Sequence, residues 1–204
     1  MTPKNTYKPA RFSRFGIAFL LLASAGVWAQ SEELTTIYRK PNVDLKPYTQ
    51  LLITPLNLAD ARIVPPPWVE NANPHEWDLT RQNQEALRSA YASAVREGIE
   101  SGGQYKVVTI PTPGTLQVEV RLISLTPWAA RGEQAQTLGT GSLTFEAHVR
   151  DARTAELLAI FSGTQNVGQN YQENTAFNRE AGVTEHFRNW GRNISRRLSE
   201  AQGR

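Results

Sequence analysis

The chain predicts an α+β fold. The expected domain is single and runs β-α-β-β-β-β-α, with an antiparallel-rich sheet and two helices packed on one side. Three observations carry this expectation. Residues 115–125 and 142–150 alternate apolar and polar side chains, the period of a half-buried strand. Residues 78–101 and 183–200 repeat apolar side chains at helical spacing. The 204 residues include no cysteine, so an apolar core has to hold the fold together without disulfides.

Residues 1–29 read as a cleaved export signal. Lys4, Lys8, Arg11 and Arg14 make a positive start, and an apolar run over 15–27 follows. Val27-Trp28-Ala29 has the residue types a signal peptidase reads, which puts the cut between Ala29 and Gln30. A cut after Ala25 is the alternative. The apolar run is short for a membrane span, which needs roughly 20 residues. A retained N-terminal membrane anchor is therefore the second reading, and a periplasmic protein the first.

Leu22-Ala23-Ser24-Ala25-Gly26 has the shape of a lipoprotein processing box, with Ala25 in the place of the required Cys. No lipid anchor is expected there. The leader also explains the charge. The chain has 22 Lys+Arg against 19 Asp+Glu, and four of the basic residues but no acid lie in the leader. The remainder is close to neutral, so the basic balance gives no reason to expect a nucleic-acid partner.

Residues 30–47 are polar and punctuated by Pro41 and Pro47, an extended arm before the domain at 48–204. Leu51-Leu52-Ile53 begins a first strand. Residues 57–77 form a long loop with the stiff triplet Pro65-Pro66-Pro67. The helix over 78–101 has Asp78 or Thr80 as its N-cap and stops at Gly102-Gly103. A short strand at 105–109 and a turn at 111–114 follow. In the strand at 115–125, Leu116, Val118, Val120 and Leu122 point inward; Gln117, Glu119 and Arg121 point outward. In the strand at 142–150, Leu143, Phe145, Ala147 and Val149 point inward. Residues 157–162 return as a strand, and 163–180 read as a Gln/Asn-rich loop. The last helix spans about 183–200, with Val183, Phe187, Trp190, Ile194 and Leu198 as its apolar stripe.

Little in this pattern supports catalysis. The chain has no cysteine, Gly-x-Ser-x-Gly elbow or phosphate-binding glycine loop. His75, His148 and His186 are not at metal-ligand spacing, and the last two read as surface residues. No catalytic residue, metal or cofactor is expected. Glu119 and Glu146 stand on the outward faces of two strands and read as ordinary solvent-face glutamates.

The surface offers two candidate contact regions. Trp68 and Trp77 bracket a stiff Pro/Asn-rich loop, and tryptophans on such a loop suit a partner-binding anchor. Arg188, Arg192 and Arg196 recur every four residues on the last helix and could meet an acidic partner or phosphate headgroups.

Several segments together resemble the uncharacterised bacterial domain of unknown function family 3313, which includes secreted proteins and envelope lipoproteins. They are Tyr48-Thr49-Gln50-Leu51-Leu52-Ile53-Thr54-Pro55, the strand between Gly141 and Asp151, the turn from Asp151 to Glu156, and Phe187-Arg188-Asn189-Trp190. The resemblance implies an envelope-associated, non-enzymatic protein and transfers no catalytic residue. Two positions depart from it. Ala155 stands where such sequences often have Gly, and Ala25 stands in the place of the lipoprotein Cys.

The leading expectation is a periplasmic binding or accessory module of the cell envelope, with an envelope protein as partner and weak peripheral membrane contact. The alternatives are a hydrolase of an envelope polymer using Glu76, Asp78 or Glu119, and a structural homo-oligomer joined through a sheet edge.

Overall fold

The computed structural model describes residues 34–70 and 74–204. The export signal expected from the sequence, with its expected cut between Ala29 and Gln30, lies outside the described residues, as do Asn71, Ala72 and Asn73.

The strands are β1 (Thr35–Arg39), β2 (Gln50–Ile53), β3 (Arg62–Ile63), β4 (Lys106–Val107), β5 (Thr115–Pro127), β6 (Gln136–Leu138), β7 (Gly141–Asp151), β8 (Leu157–Val167) and β9 (Tyr171–Glu173). The helices are α1 (Arg81–Glu100) and α2 (Ala176–Gln202), and a 3₁₀ turn covers Pro74–Trp77. The main sheet has the order β1-β8-β7-β5-β2-β4, with β3 continuing beside β5 beyond β2. The long hairpins β5–β7 and β7–β8 are antiparallel, whereas β2 and β3 run parallel to β5, and β4 runs parallel to β2. The fold is thus α+β with a mixed, antiparallel-rich sheet. β6 and β9 make a separate two-stranded ribbon.

The alternation in β5 and β7 sorts the two faces of the sheet. Leu116, Val118, Val120, Leu122, Leu143 and Phe145 are buried beneath the helices. Phe145 meets Trp190 of α2 at 4.3 Å between ring centroids. Glu119 pairs in register with His148, and Arg121 with Glu146, on the outer face. The two glutamates are therefore diagonal neighbours, each opposite a basic residue.

The helices run parallel. Tyr91 meets Phe187, Gly98 lies against Gly191, and Ser195 Oγ donates to the Ile99 carbonyl at 2.9 Å. Glycine permits this approach. A Cβ on Gly98 would sit 2.1 Å from the Arg188 carbonyl oxygen, and one on Gly191 would sit 2.3 Å from that of Val95. Both helices are capped by threonine: Thr80 accepts from the Asn83 N–H and Thr175 from the Asn178 N–H. Gly203 closes α2 in the left-handed conformation at φ +72°.

Several elements differ from the sequence reading. Part of the segment read as an arm is β1, which pairs with β8. The stretch read as loop over 163–180 contains the end of β8, all of β9 and the start of α2. Its Gln/Asn composition hid the strand because Gln165 is a buried partner that accepts from Trp190 Nε1 at 2.6 Å. The cap of α1 is Thr80. Among the described residues no helix is long and apolar enough to cross a membrane.

Candidate functional site

The apolar stripes of the two helices are unevenly covered. Near the glycine crossing, Tyr91, Val95, Ile99, Phe187 and Leu198 are buried. Toward the N-termini, Leu87, Ala90 and Val183 are only half-buried, and Ala86 is exposed. An open cleft of about 580 Å³ lies between the N-terminal halves of the helices. Leu125, Leu143 and Val167 of the sheet line it, with Leu79, Ala86, Leu87, Ala90 and Val183 from the helical side. Arg131, Arg179, Glu76 and Glu180 also line it. Its size and largely apolar lining fall in the range of small-molecule sites, roughly 300–1,000 Å³.

Trp77 belongs to this cleft and to a smaller neighbouring recess of about 360 Å³ lined by Ala61, Arg62, Ile63, Pro65, Asp78 and Leu79. Its indole Nε1 is buried without a hydrogen-bond partner among the described residues. Trp68 is 56% exposed. The two tryptophans named from the sequence thus occupy different environments, one a wall of the cleft and the other a projecting side chain.

The arginine stripe of α2 is matched by carboxylates. Arg188 Nε lies 2.9 Å from Glu97 Oε1 of α1, and Arg188 also pairs with Glu185. These two carboxylates raise the Arg188 pKa above its ordinary value. Arg192 lies 2.7 Å from Glu185 and Arg196 lies 2.7 Å from Glu200. The stripe joins α2 to α1 and to its own acids, a pairing that its four-residue spacing alone did not reveal.

The acids considered for hydrolysis are not brought together. Glu76 lines the cleft and Asp78 the smaller recess, while Glu119 stands on the opposite face of the sheet. His148 is half-buried on that same outer face, with Nε2 at 2.7 Å from Glu146 Oε1. No group of three His, Cys, Asp or Glu among the described residues could hold a metal ion.

His186 departs from its reading as a surface residue. It is 8% exposed, packs edge-on against Trp190 and has no partner for Nε2 among the described residues. It sits four residues before Trp190, so the apolar stripe is broad enough to bury it as well. Burial pushes its pKa down to about 4.

Sequence reasoning found Trp77 but missed the cleft as a whole. Its lining comes from Ile63 and from residues within 76–90, 125–131, 140–143, 167 and 176–184, segments far apart along the chain. The available signal was the length of the α1 stripe, which continues from Tyr91 back to Leu79, beyond the part α2 covers.

No curated protein matches the chain in sequence. Among solved structures, protein XCC0632 from Xanthomonas campestris is 12% identical with a TM-score of 0.46, over 83% of this chain and 95% of that one. A PelC dodecamer from Paraburkholderia phytofirmans is 7% identical with a TM-score of 0.37, over 77% and 94%. A minor lipoprotein from Acinetobacter baumannii is 9% identical with a TM-score of 0.30, over 74% and 94%. A family model described as a protein of unknown function, DUF3313, matches residues 28–194, and the chain belongs to that family.

Proposed function

We propose that the protein is exported to the periplasm and works there as a non-enzymatic binding or accessory module of the cell envelope. The interhelical cleft is the surface through which it acts. One observation carries this reading: the apolar faces of α1 and α2 are buried at the glycine crossing but open onto a cleft of about 580 Å³ at their N-termini. Apolar surface left open in a concave site suits an apolar group of a ligand or partner. Trp77 in the wall and Trp68 outside it are the contact residues in this reading. Arg188, Arg192 and Arg196 serve as structural ion pairs.

The test uses protein recovered from the envelope of an expressing host. Mass spectrometry of its N-terminus should give Gln30 as the first residue. Titration with the apolar fluorophore anilinonaphthalene sulfonate should show saturable binding at one site. Ala86→Trp, an exposed position lining the cleft, should weaken this binding about tenfold or more without unfolding the protein. A linear, unsaturable response, or equal binding by the variant, would overturn the cleft as the working site. Recovery of the protein only in the cytoplasm would overturn its place in the envelope.

A further inference from the structure

The cleft carries charge as well as apolar surface. Arg131, Arg179, Glu76 and Glu180 all line it. Arg179 is the half-buried member of the four, and the other three are exposed. Arg188, Arg192 and Arg196, farther along α2, each meet a carboxylate. Arg131 and Arg179 meet none among the described residues. The half-buried charge of the cleft is therefore a cation without a counterion. A charge partly withdrawn from water attracts an opposite charge more strongly than one at the open surface does.

One side chain links the two arginines. Asn174 stands between β9 and α2. Its Nδ2 donates to the Ala130 and Glu133 carbonyls, each at 2.8 Å. Its Oδ1 accepts from Arg179 Nη1 at 2.5 Å. The turn over 130–133 carries Arg131. The Ala130 N–H closes it by donating to Glu133 Oε2 at 2.7 Å, and the Glu133 N–H by donating to the Ala130 carbonyl at 3.1 Å. Asn174 thus fastens the Arg131 turn to the Arg179 guanidinium and fixes the direction of that guanidinium. A guanidinium has five N–H donors, so Arg179 keeps most of them for a further acceptor. Among the described residues nothing comparable holds the carboxylates of Glu76, on the 3₁₀ turn, and Glu180, on α2.

We propose that the cleft takes an amphipathic monocarboxylate, a single apolar chain that ends in a carboxylate. The chain lies against the apolar wall, and the carboxylate meets Arg179 and Arg131. This deepens the binding reading and rests on the cleft being the working site. The planar guanidinium presents parallel N–H donors that match the two oxygens of a carboxylate. A phosphate matches the same fork, but Glu76 and Glu180 would repel its second negative charge, so a head of single charge fits better. The helices add to the preference for an anion. Both begin at this cleft, where Thr80 and Ala176 line it, and neither has an acid in its first turn. The positive end of each macrodipole therefore faces the cleft.

Four ligands of one chain length test the head group: decanoate, decanol, decyl phosphate and decyltrimethylammonium. Each displaces the bound fluorophore from the exported protein at concentrations below micelle formation. Decanoate should bind about tenfold or more tightly than decanol, the scale of a charge-assisted hydrogen bond. Decyl phosphate and decyltrimethylammonium should both bind more weakly than decanoate. Arg179→Gln should bring the ratio of decanoate to decanol close to one. Arg131→Gln changes an exposed residue whose loss cannot unfold the chain, and should lower the ratio about threefold. Arg153→Gln, in the β7–β8 turn, should leave the ratio as in the wild type. Equal binding of decanoate and decanol, tighter binding of either of the other two heads, or a ratio that survives Arg179→Gln and Arg131→Gln would overturn the proposal.

The same titrations separate this proposal from the reading it rests on. Fluorophore binding that Ala86→Trp weakens, with no preference among the four heads, leaves the cleft and removes the carboxylate. Fluorophore binding that Ala86→Trp leaves unchanged removes the cleft and the carboxylate together.

Discussion

His186 is buried against Trp190 on the inward side of α2, so its protonation is tied to folding. Its pKa falls from 6.5 to about 4 because burial disfavours the imidazolium. Above pH 6.5 both the folded and unfolded states hold it neutral, and its contribution to stability is fully present. As pH falls from 6.5 toward 4 the unfolded state binds the proton first, so stability declines across that window. The total loss is about 3 kcal/mol, at roughly 1.4 kcal/mol per pKa unit. Urea unfolding of His186→Leu against wild type, from pH 7.5 to 4, should show that the difference in pH dependence lies in this window. A second residue-scale prediction concerns Ala155, which takes φ +60° in the β7–β8 turn. Left-handed backbone costs a non-glycine residue about 1–2 kcal/mol, partly offset by the extra unfolded-state freedom of glycine. Ala155→Gly should therefore raise stability by about 0.5–1 kcal/mol, read as a higher urea midpoint at unchanged m-value. The departure at Ala155 came from the resemblance to the family, whose sequences often have Gly there, and the left-handed backbone at this position gives its physical reason. The burial of His186 was not, because histidine is as common at a surface as beneath one.

The elements divide in the same way. Alternation in β5 and β7 and the apolar stripe of α1 were readable because one partner surface, the core, imposes one period on each. β3, β6 and β9 are two or three residues long and have no period to read. The parallel packing of α1 on α2 was not visible either, although it depends on two residues the sequence does show, Gly98 and Gly191. Their lack of a Cβ sets how closely the helices approach. Gly191→Ala would bring a methyl 2.3 Å from the Val95 carbonyl and 2.8 Å from the Ile99 nitrogen. Backbone cannot yield as a side-chain tip does, so the helices must separate, at a cost of about 1–3 kcal/mol. Gly102→Ala, with nothing within 4 Å of the added carbon, is the matched control and should change stability far less. Chemical denaturation of the pair checks this.

At the scale of the whole molecule, the packed core and the open cleft share the two helices. Their C-terminal halves are fastened by Ser195, by Tyr105, which hydrogen-bonds Ser199 and Gln202, and by Gln202, which donates to the Leu45 and Tyr48 carbonyls at 2.7 and 2.8 Å. Their N-terminal halves diverge over the sheet and leave the cleft. A ligand that fills the cleft would bind only the folded chain, so the titration proposed above should also raise the melting temperature as the fluorophore concentration exceeds its Kd. The α+β class, the inward faces of the long strands and the apolar stripes of both helices follow from residue order, because each depends on neighbours within about one element's length. The cleft, the neutralised arginine stripe and the buried histidine depend on how distant segments meet. Parallel helices pinned at one pair of glycines set that meeting, covering one half of each stripe and leaving the other half open.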